Sequence, residues 1–457
     1  MKNIAYLLLL SVAFSSCDDF LNEEPGFNLT EDQVFASVSN VEPAVAGAYN
    51  TMIRSSSENN QGYLSRNFYL ITAFSAWDLK EPNDAVPSFL EFYNHQVQPN
   101  NTYLEDSWGA IYEAIQAVDK IIAYAPAAEG DQATLDRLLA EAYFLRAYHY
   151  FNLVRMFGGV PLYLEPIKNT EAEQIFLPRA TREEVYEQIV NDLETAQSLM
   201  PANYKQANRA SLPLIKGLLA KVHLYQENYA EAESLAAEVM NEYTFSLSPE
   251  FANIFRAEDE PESLLEIPFN ARSGYNALTT LTLPPGEPYN GVASSPFVVY
   301  KQGDVYPLIE LYEAEDIRLQ QTFHQGQDWY YVVKYTSLDN FDAISLMRMP
   351  ELLLIYAEAA ARNAQSVTDA AFEAYNQVRS RAGVPAERSE FGSIEAFIDE
   401  VVEEKRRELV LEGETWFDYV RAGKAAELGA ANPDYWLYPI PQIEMDVNKK
   451  LVQNPGY

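Results

Sequence analysis

LIKGLLAKVHLYQENYAEAESLAAEVM, residues 214–240, sets two helical segments back to back around a short polar turn. Leu219 and Ala220 precede the turn at Glu227 and Asn228, and Tyr229, Ala232 and Ala236 return on the second segment. Small residues at these spacings let two helices approach closely, which is the pattern of a tetratricopeptide hairpin. A single hairpin leaves an apolar face uncovered, so further copies are expected along the chain.

They are found on both sides. ELLLIYAEAAARN from Glu351 leads through a turn near Val367 into AAFEAYNQVRSRAGV. Upstream, a helix predicted over Thr134–Phe157 buries Leu138, Ala142, Leu145, His149 and Leu153, and Gly158, Gly159 and Pro161 stop it. Its successor opens on a capping box, Thr181 with Glu184, and carries Val185, Ile189, Leu193 and Ala196 at helical spacing. Stripes through Val41, Val45, Ala48 and Met52, and through Trp108, Ile111, Ile115 and Val118, predict two more helices, with Trp108 in the core. These add up to about four interrupted helix-turn-helix units, enough to stack a continuous core. The fold class is therefore mainly α: tetratricopeptide-like hairpins form a scaffold with a loop-rich insertion. That insertion, 246–346, holds Pro284, Pro285 and Pro288, is aromatic throughout, and alternates weakly at Trp329, Tyr331 and Val333, so a few short strands are expected. A second polar, aromatic stretch, 55–101, is punctuated by Pro82, Pro87 and Pro99.

The first residues read as a targeting signal. A basic start at Lys2, an apolar run from Ile4 to Phe14 too short to span a bilayer, and the small residues Ser15 and Ser16 describe a secretory signal peptide over 1–16. Cys17, the chain's only cysteine, follows at once and is expected to carry a lipid anchor. The alternative is an ordinary cleaved signal with an incidental cysteine, which Phe14 in place of the usual Leu leaves open. Residues 17–30 then form a polar tether. The remainder divides into a helical region 31–245, the loop-rich region 246–346 and a second helical region 347–457.

Composition excludes some classes. With 67 Asp and Glu against 32 Lys and Arg, a formal charge of -35, the chain lacks the basic patches that nucleic acid requires. One cysteine allows no internal disulfide, so stability rests on apolar burial, for which 48% hydrophobic residues with 31 Tyr and 23 Phe are ample. No G-x-S-x-G, H-E-x-x-H or phosphate-loop motif occurs, and His95, His149, His223 and His324 lack metal-ligand spacing. No catalytic residue, metal or cofactor is assigned. The lone His149 on an apolar helix is expected in the core. Glu351 and Glu358 beside Arg348, and Glu403, Glu404, Arg406, Arg407 and Glu408, are expected on solvated or paired helix faces.

Several segments together resemble the SusD/RagB outer-membrane nutrient-binding lipoproteins. They are Cys17 with DDFL after it, RAYHYFNLVRMFGGVPLY at 146–163, LPRATREEVYEQIVNDLETA at 177–196 and MRMPELLLIYAEAAARN at 347–363. VRSRAGV at 378–384, EEKRRELVLEGETWFDYVRAGK at 403–424 and the ending LYPIPQIEMDVNKKLVQNPGY complete the order. Thr415 departs from the pattern, which more often has Arg there. The resemblance implies a lid over a SusC-like TonB-dependent transporter barrel, attached to the outer membrane through the lipid and exposed at the cell surface. Asp18 and Asp19 fit the acidic signal associated with surface export in such proteins. Ligands in the family are typically oligosaccharides, with peptides used by some members.

The family motifs do not locate the ligand site, so chemistry must. Sugars present apolar C–H faces ringed by hydroxyls, and a glycan site pairs exposed aromatics with short polar groups. Aromatics outside the helical stripes are the candidates: Trp77 beside Asp78, Tyr289 beside Asn290, and Trp329 beside Tyr330. At least two of Trp77, Tyr289 and Trp329 are expected to stack on ligand, whereas Trp416 and Trp436 fall inside fold motifs and are set aside. A surface glycosidase would instead need two carboxylates roughly 5 to 10 Å apart in a cleft, and a pure assembly scaffold would need no pocket.

Overall fold

Periodic apolar positions become helices wherever caps and breakers allow. A computed structural model describes residues 31–457 apart from 55–61, 83–85, 170, 257–259, 271–274, 287, 294–295, 302–306 and 340; Cys17 and the tether lie outside the described residues. The principal helices are α1 (Val38–Thr51), α2 (Asn67–Ser75), α3 (Thr102–Tyr124), α4 (Gln132–Phe157), α5 (Arg182–Leu199) and α6 (Leu212–Tyr225). They continue as α7 (Tyr229–Glu242), α8 (Met349–Ala364), α9 (Asp369–Arg381), α10 (Ile394–Leu409) and α11 (Thr415–Arg421).

Local chemistry sets their ends. The Asp131 carboxylate accepts the Thr134 N–H at 2.8 Å to start α4, and Gly158 at φ 74° ends it. The expected capping box opens α5: the Thr181 hydroxyl accepts the Glu184 N–H at 3.2 Å while the Glu184 carboxylate accepts the Thr181 N–H at 2.7 Å. The turn between α6 and α7 comprises 226–228, with Glu227 at φ 62°.

From α3 to α9 each helix packs on its successor, and α10 lies against α8. This is the serial stacking expected of tetratricopeptide-like hairpins, each unit covering its neighbour's apolar face. Trp108 is buried on α3. His149 on α4 is also buried, shares a 2.9 Å hydrogen bond with the Tyr63 hydroxyl, and is held neutral because burial lowers its pKa to about 3. Among the described residues no helix is long and apolar enough to cross a membrane.

Among the described residues the loop-rich region and its exit carry five short strands. β1 (Ser263–Ile267) and β5 (Ile344–Arg348) form an antiparallel ribbon with irregular register, and β2 (Tyr300–Lys301), β4 (Trp329–Val332) and β3 (Phe323–Gln325) form a second sheet in that order. The ribbon sits directly on α6, where a Cβ at Gly217 would stand 2.8 Å from the Met347 sulfur.

The charged helix positions take the paired of the two expected arrangements. Glu351, Glu358, Glu404 and Glu408 are paired, as expected, but none is solvated. Arg348 reaches Glu262 at 2.6 Å, Glu408 at 2.9 Å and Glu412 at 2.6 Å. Arg318 reaches Asp316, Glu404 and Glu408 at 2.8, 2.7 and 2.9 Å. The cause is nonlocal: Arg318 comes from the loop-rich region and Arg348 from the end of the strand that leaves it, and both cover α10, which converts its charged face into an internal layer.

Candidate ligand-binding site

The β3–β4 hairpin decides where the exposed aromatics point. Its register pairs Phe323 with Val332, His324 with Tyr331, and Gln325 with Tyr330, and the Gly326 N–H donates to the Trp329 carbonyl at 2.9 Å to close the turn. Side chains alternate across a strand, and directly opposed residues share a face. Phe323 and Val332 are buried, which assigns that face to the core. The other face therefore carries His324, Tyr331 and Trp329, all half-buried.

Tyr289 joins them from the proline-rich loop, its ring 5.1 Å from that of His324 at 67°, an edge-to-face contact. The loop is tight: Asn290 adopts φ 53° and donates its N–H to the Gly286 carbonyl at 2.6 Å, and the Gly291 N–H reaches the Pro284 carbonyl at 2.9 Å. A side chain at Gly291 would meet the Leu283 carbonyl oxygen at 2.2 Å, so this approach requires glycine. Asn290, next in sequence to Tyr289, is exposed. At the hairpin tip the Tyr331 ring covers Gly326, and burial followed by the charge of Asp328 pushes the Tyr331 phenol up. The result is a platform of four rings, Tyr289, His324, Tyr331 and Trp329, backed by a packed sheet and with the Asp328 carboxylate beside Tyr331.

Two of the three nominated aromatics, Tyr289 and Trp329, are thus brought to one face. Tyr330 is a correction: alternation turns it to the opposite side, where it packs against the core. Tyr331 and His324 join that face as well. The alternation at Trp329, Tyr331 and Val333 already put Tyr331 on the face of Trp329, whereas His324 became visible only through strand pairing.

Trp77 is engaged elsewhere. At φ 59° its indole N–H donates to the Tyr93 carbonyl at 2.8 Å, and its ring meets Tyr93 at 5.8 Å and His95 at 6.1 Å. It lies over Gly429, where a Cβ would stand 2.1 Å from the ring. Asp78 is also a correction as a ligand partner. It is buried and faces the Arg406 guanidinium at 3.2 Å; burial raises its carboxyl pKa, against the pull of Arg406. The Trp77 loop nonetheless touches the platform's sheet, through reciprocal backbone bonds between Lys80 and Val298 of 2.6 and 2.9 Å.

Residues 19–224 match a family described as starch-binding and associating with the outer membrane, and residues 335–435 match the SusD family. The chain belongs to the SusD/RagB family. It is 25% identical to SusD-like protein P2 of Formosa agariphila, an alignment spanning 99% of each protein. Its fold is that of a SusD superfamily protein from Parabacteroides distasonis, at 22% identity and a TM-score of 0.79 over 94% of this chain and 100% of the other. A structure named as a laminarin-binding SusD-like protein superposes with a TM-score of 0.78 at 24% identity, over 93% of this chain and 100% of that one.

Proposed function

We propose that this protein is a lipid-anchored, surface-exposed outer-membrane receptor that binds oligosaccharides on the Tyr289–His324–Tyr331–Trp329 platform. It passes them uncleaved to a SusC-like TonB-dependent transporter. The observation that carries this reading is the half-exposed four-ring face, whose rings can stack on sugar C–H surfaces, with the Asp328 carboxylate beside Tyr331 and the exposed Asn290 next in sequence to Tyr289 as polar groups for hydroxyls. Membership of a family described as starch-binding supports the ligand class, and a laminarin-binding structural neighbour is consistent with it. The anchor rests on Cys17 behind its apolar run, and the surface location on Asp18 and Asp19.

Support for a binding role without turnover comes from the carboxylates. Glu262, Glu404, Glu408 and Glu412 are buried and committed to arginines, and so are unavailable as the acid and base of glycoside hydrolysis. Screening purified protein against a glycan panel and following any bound glycan for new reducing ends tests the reading. Binding without new ends is expected. Cleavage abolished by changing one Asp or Glu would establish a glycosidase, and selective binding of peptides alone would move the ligand class.

A further inference from the structure

A cavity of about 330 Å³ opens between the 205–211 segment that leads into α6, Phe245 just after α7, and the 260–266 segment that runs into β1. It shares no residue with the aromatic platform. Backbone bonds fix its wall: the Glu266 N–H donates to the Ala207 carbonyl at 2.9 Å, the Ser263 N–H to the Glu260 carbonyl at 3.0 Å, and the Glu260 N–H to the Glu266 carboxylate at 3.0 Å. That oxygen of Glu266 is thereby spent inside the protein.

The Glu260 carboxylate is different. The residue is only 8% exposed, its Oε1 is buried without a hydrogen-bond partner, and among the described residues no cation is ion-paired with it. No other buried side-chain oxygen or nitrogen of the lining residues is left in this state. A buried carboxylate oxygen without a donor is costly, and a donor-bearing guest relieves the cost. The rest of the wall supplies donors. Lys205 is exposed, its ammonium 5.3 Å from the centre of the half-buried Phe245 ring, and the Gln206 carbonyl accepts the Tyr204 hydroxyl at 2.9 Å, which leaves the Gln206 amide N–H groups for the cavity. Ser211 is buried at the start of α6, and its hydroxyl makes no capping bond. A simple cation would face Lys205 and a simple anion would face Glu260, whereas a hydroxyl both donates and accepts. Opposed polar groups around a cavity in the size range of small-molecule sites therefore fit a neutral guest rich in hydroxyls, with adjacent hydroxyls donating to Glu260.

We propose that this cavity is a second saccharide site, in which Glu260 accepts hydroxyls of a neutral sugar while Lys205, Gln206 and Ser211 donate to it. The ligand class rests on the glycan reading above; the location does not. The test is calorimetric titration with maltotriose and with laminaritriose of wild type, of Trp329→Ala/Tyr331→Ala, which removes platform rings, and of that double variant carrying Glu260→Gln as well. The platform variant is expected to keep binding for at least one trisaccharide, and adding Glu260→Gln should weaken it about tenfold or more. Glu260→Gln alone should melt no lower than wild type, since the carboxylate oxygen it removes has no partner in the protein. Identical binding by wild type and the platform variant, lost only on Glu260→Gln, would refute the platform and uphold this site. No trisaccharide bound by the platform variant at about 10 mM, equal affinity after Glu260→Gln, a melting temperature lowered by Glu260→Gln alone, or new reducing ends that vanish with Glu260→Gln would overturn the proposal.

Discussion

Trp77 and Trp329 are both half-buried tryptophans beside an aspartate, yet their neighbours set opposite roles. Trp77 spends its N–H on Tyr93 and fits over Gly429, whereas Trp329 lies on the open face of a hairpin. Trp77→Ala is expected to cost about 2 to 4 kcal/mol of stability and to leave glycan affinity nearly unchanged, as denaturant melts and isotherms on one preparation would show. The nomination of Trp77 and Asp78 shows where sequence stops being informative: Gly429 and Arg406 lie more than three hundred residues downstream. His149 was legible, since a lone histidine in an apolar helical stripe packs as core. Its burial has a consequence for acid stability. Its folded pKa, about 3, lies below the ordinary histidine value, so between about 6.5 and 3 the unfolded chain binds a proton that the folded chain refuses. Stability therefore falls on acidification through that window. His149→Gln should lack this component, so the advantage of wild type over the variant should shrink as pH falls from 6.5 toward 3 in paired chemical melts. An advantage constant with pH would refute the buried neutral assignment.

Helices were legible as elements because period, caps and breakers are local. The capping box at Thr181, the stop at Gly158 and the turn at 226–228 all appear where residue chemistry puts them. The strands were legible only in kind. Alternation along β4 alone puts Tyr331 with Trp329 and Tyr330 on the opposite side, whereas His324 joins the Trp329 face only through the β3–β4 register. The joint between the loop-rich region and the scaffold was illegible, because its partners are far apart in sequence. Arg348, at the end of β5, ties Glu262 beside β1 to Glu408 of α10 and to Glu412. Removing one partner of a buried ionic cluster strands the others, so Arg348→Ala is expected to cost about 3 to 5 kcal/mol. Arg348→Lys, which keeps charge but loses the forked geometry, should recover only part of it. A loss below about 1 kcal/mol in either equilibrium melt would mean that the cluster does not join the two regions.

Across the described residues, a stacked helical body holds inserted loops whose half-exposed chemistry is aromatic. Scaffold and loops have separate tasks, since loops on a rigid body can vary in what they recognise while the body persists. Attachment belongs to neither. A single acyl chain binds membranes marginally and several hold firmly, so lipidation at one residue can decide fractionation. Cys17→Ala is expected to release the protein from the membrane fraction with its fold intact, and retention through a high-salt wash would contradict lipid anchoring at that residue.

If the four-ring face is the glycan site, it serves binding and is not part of what holds the fold together. The direct measurement is a binding isotherm of Trp329→Ala and Tyr331→Ala for a glycan that wild type binds, taken alongside their melting temperatures. Each variant is expected to lose about 1 to 3 kcal/mol of affinity with a melting temperature close to wild type. Unchanged affinity in both variants, or weakened binding that merely tracks a large fall in melting temperature, would contradict it.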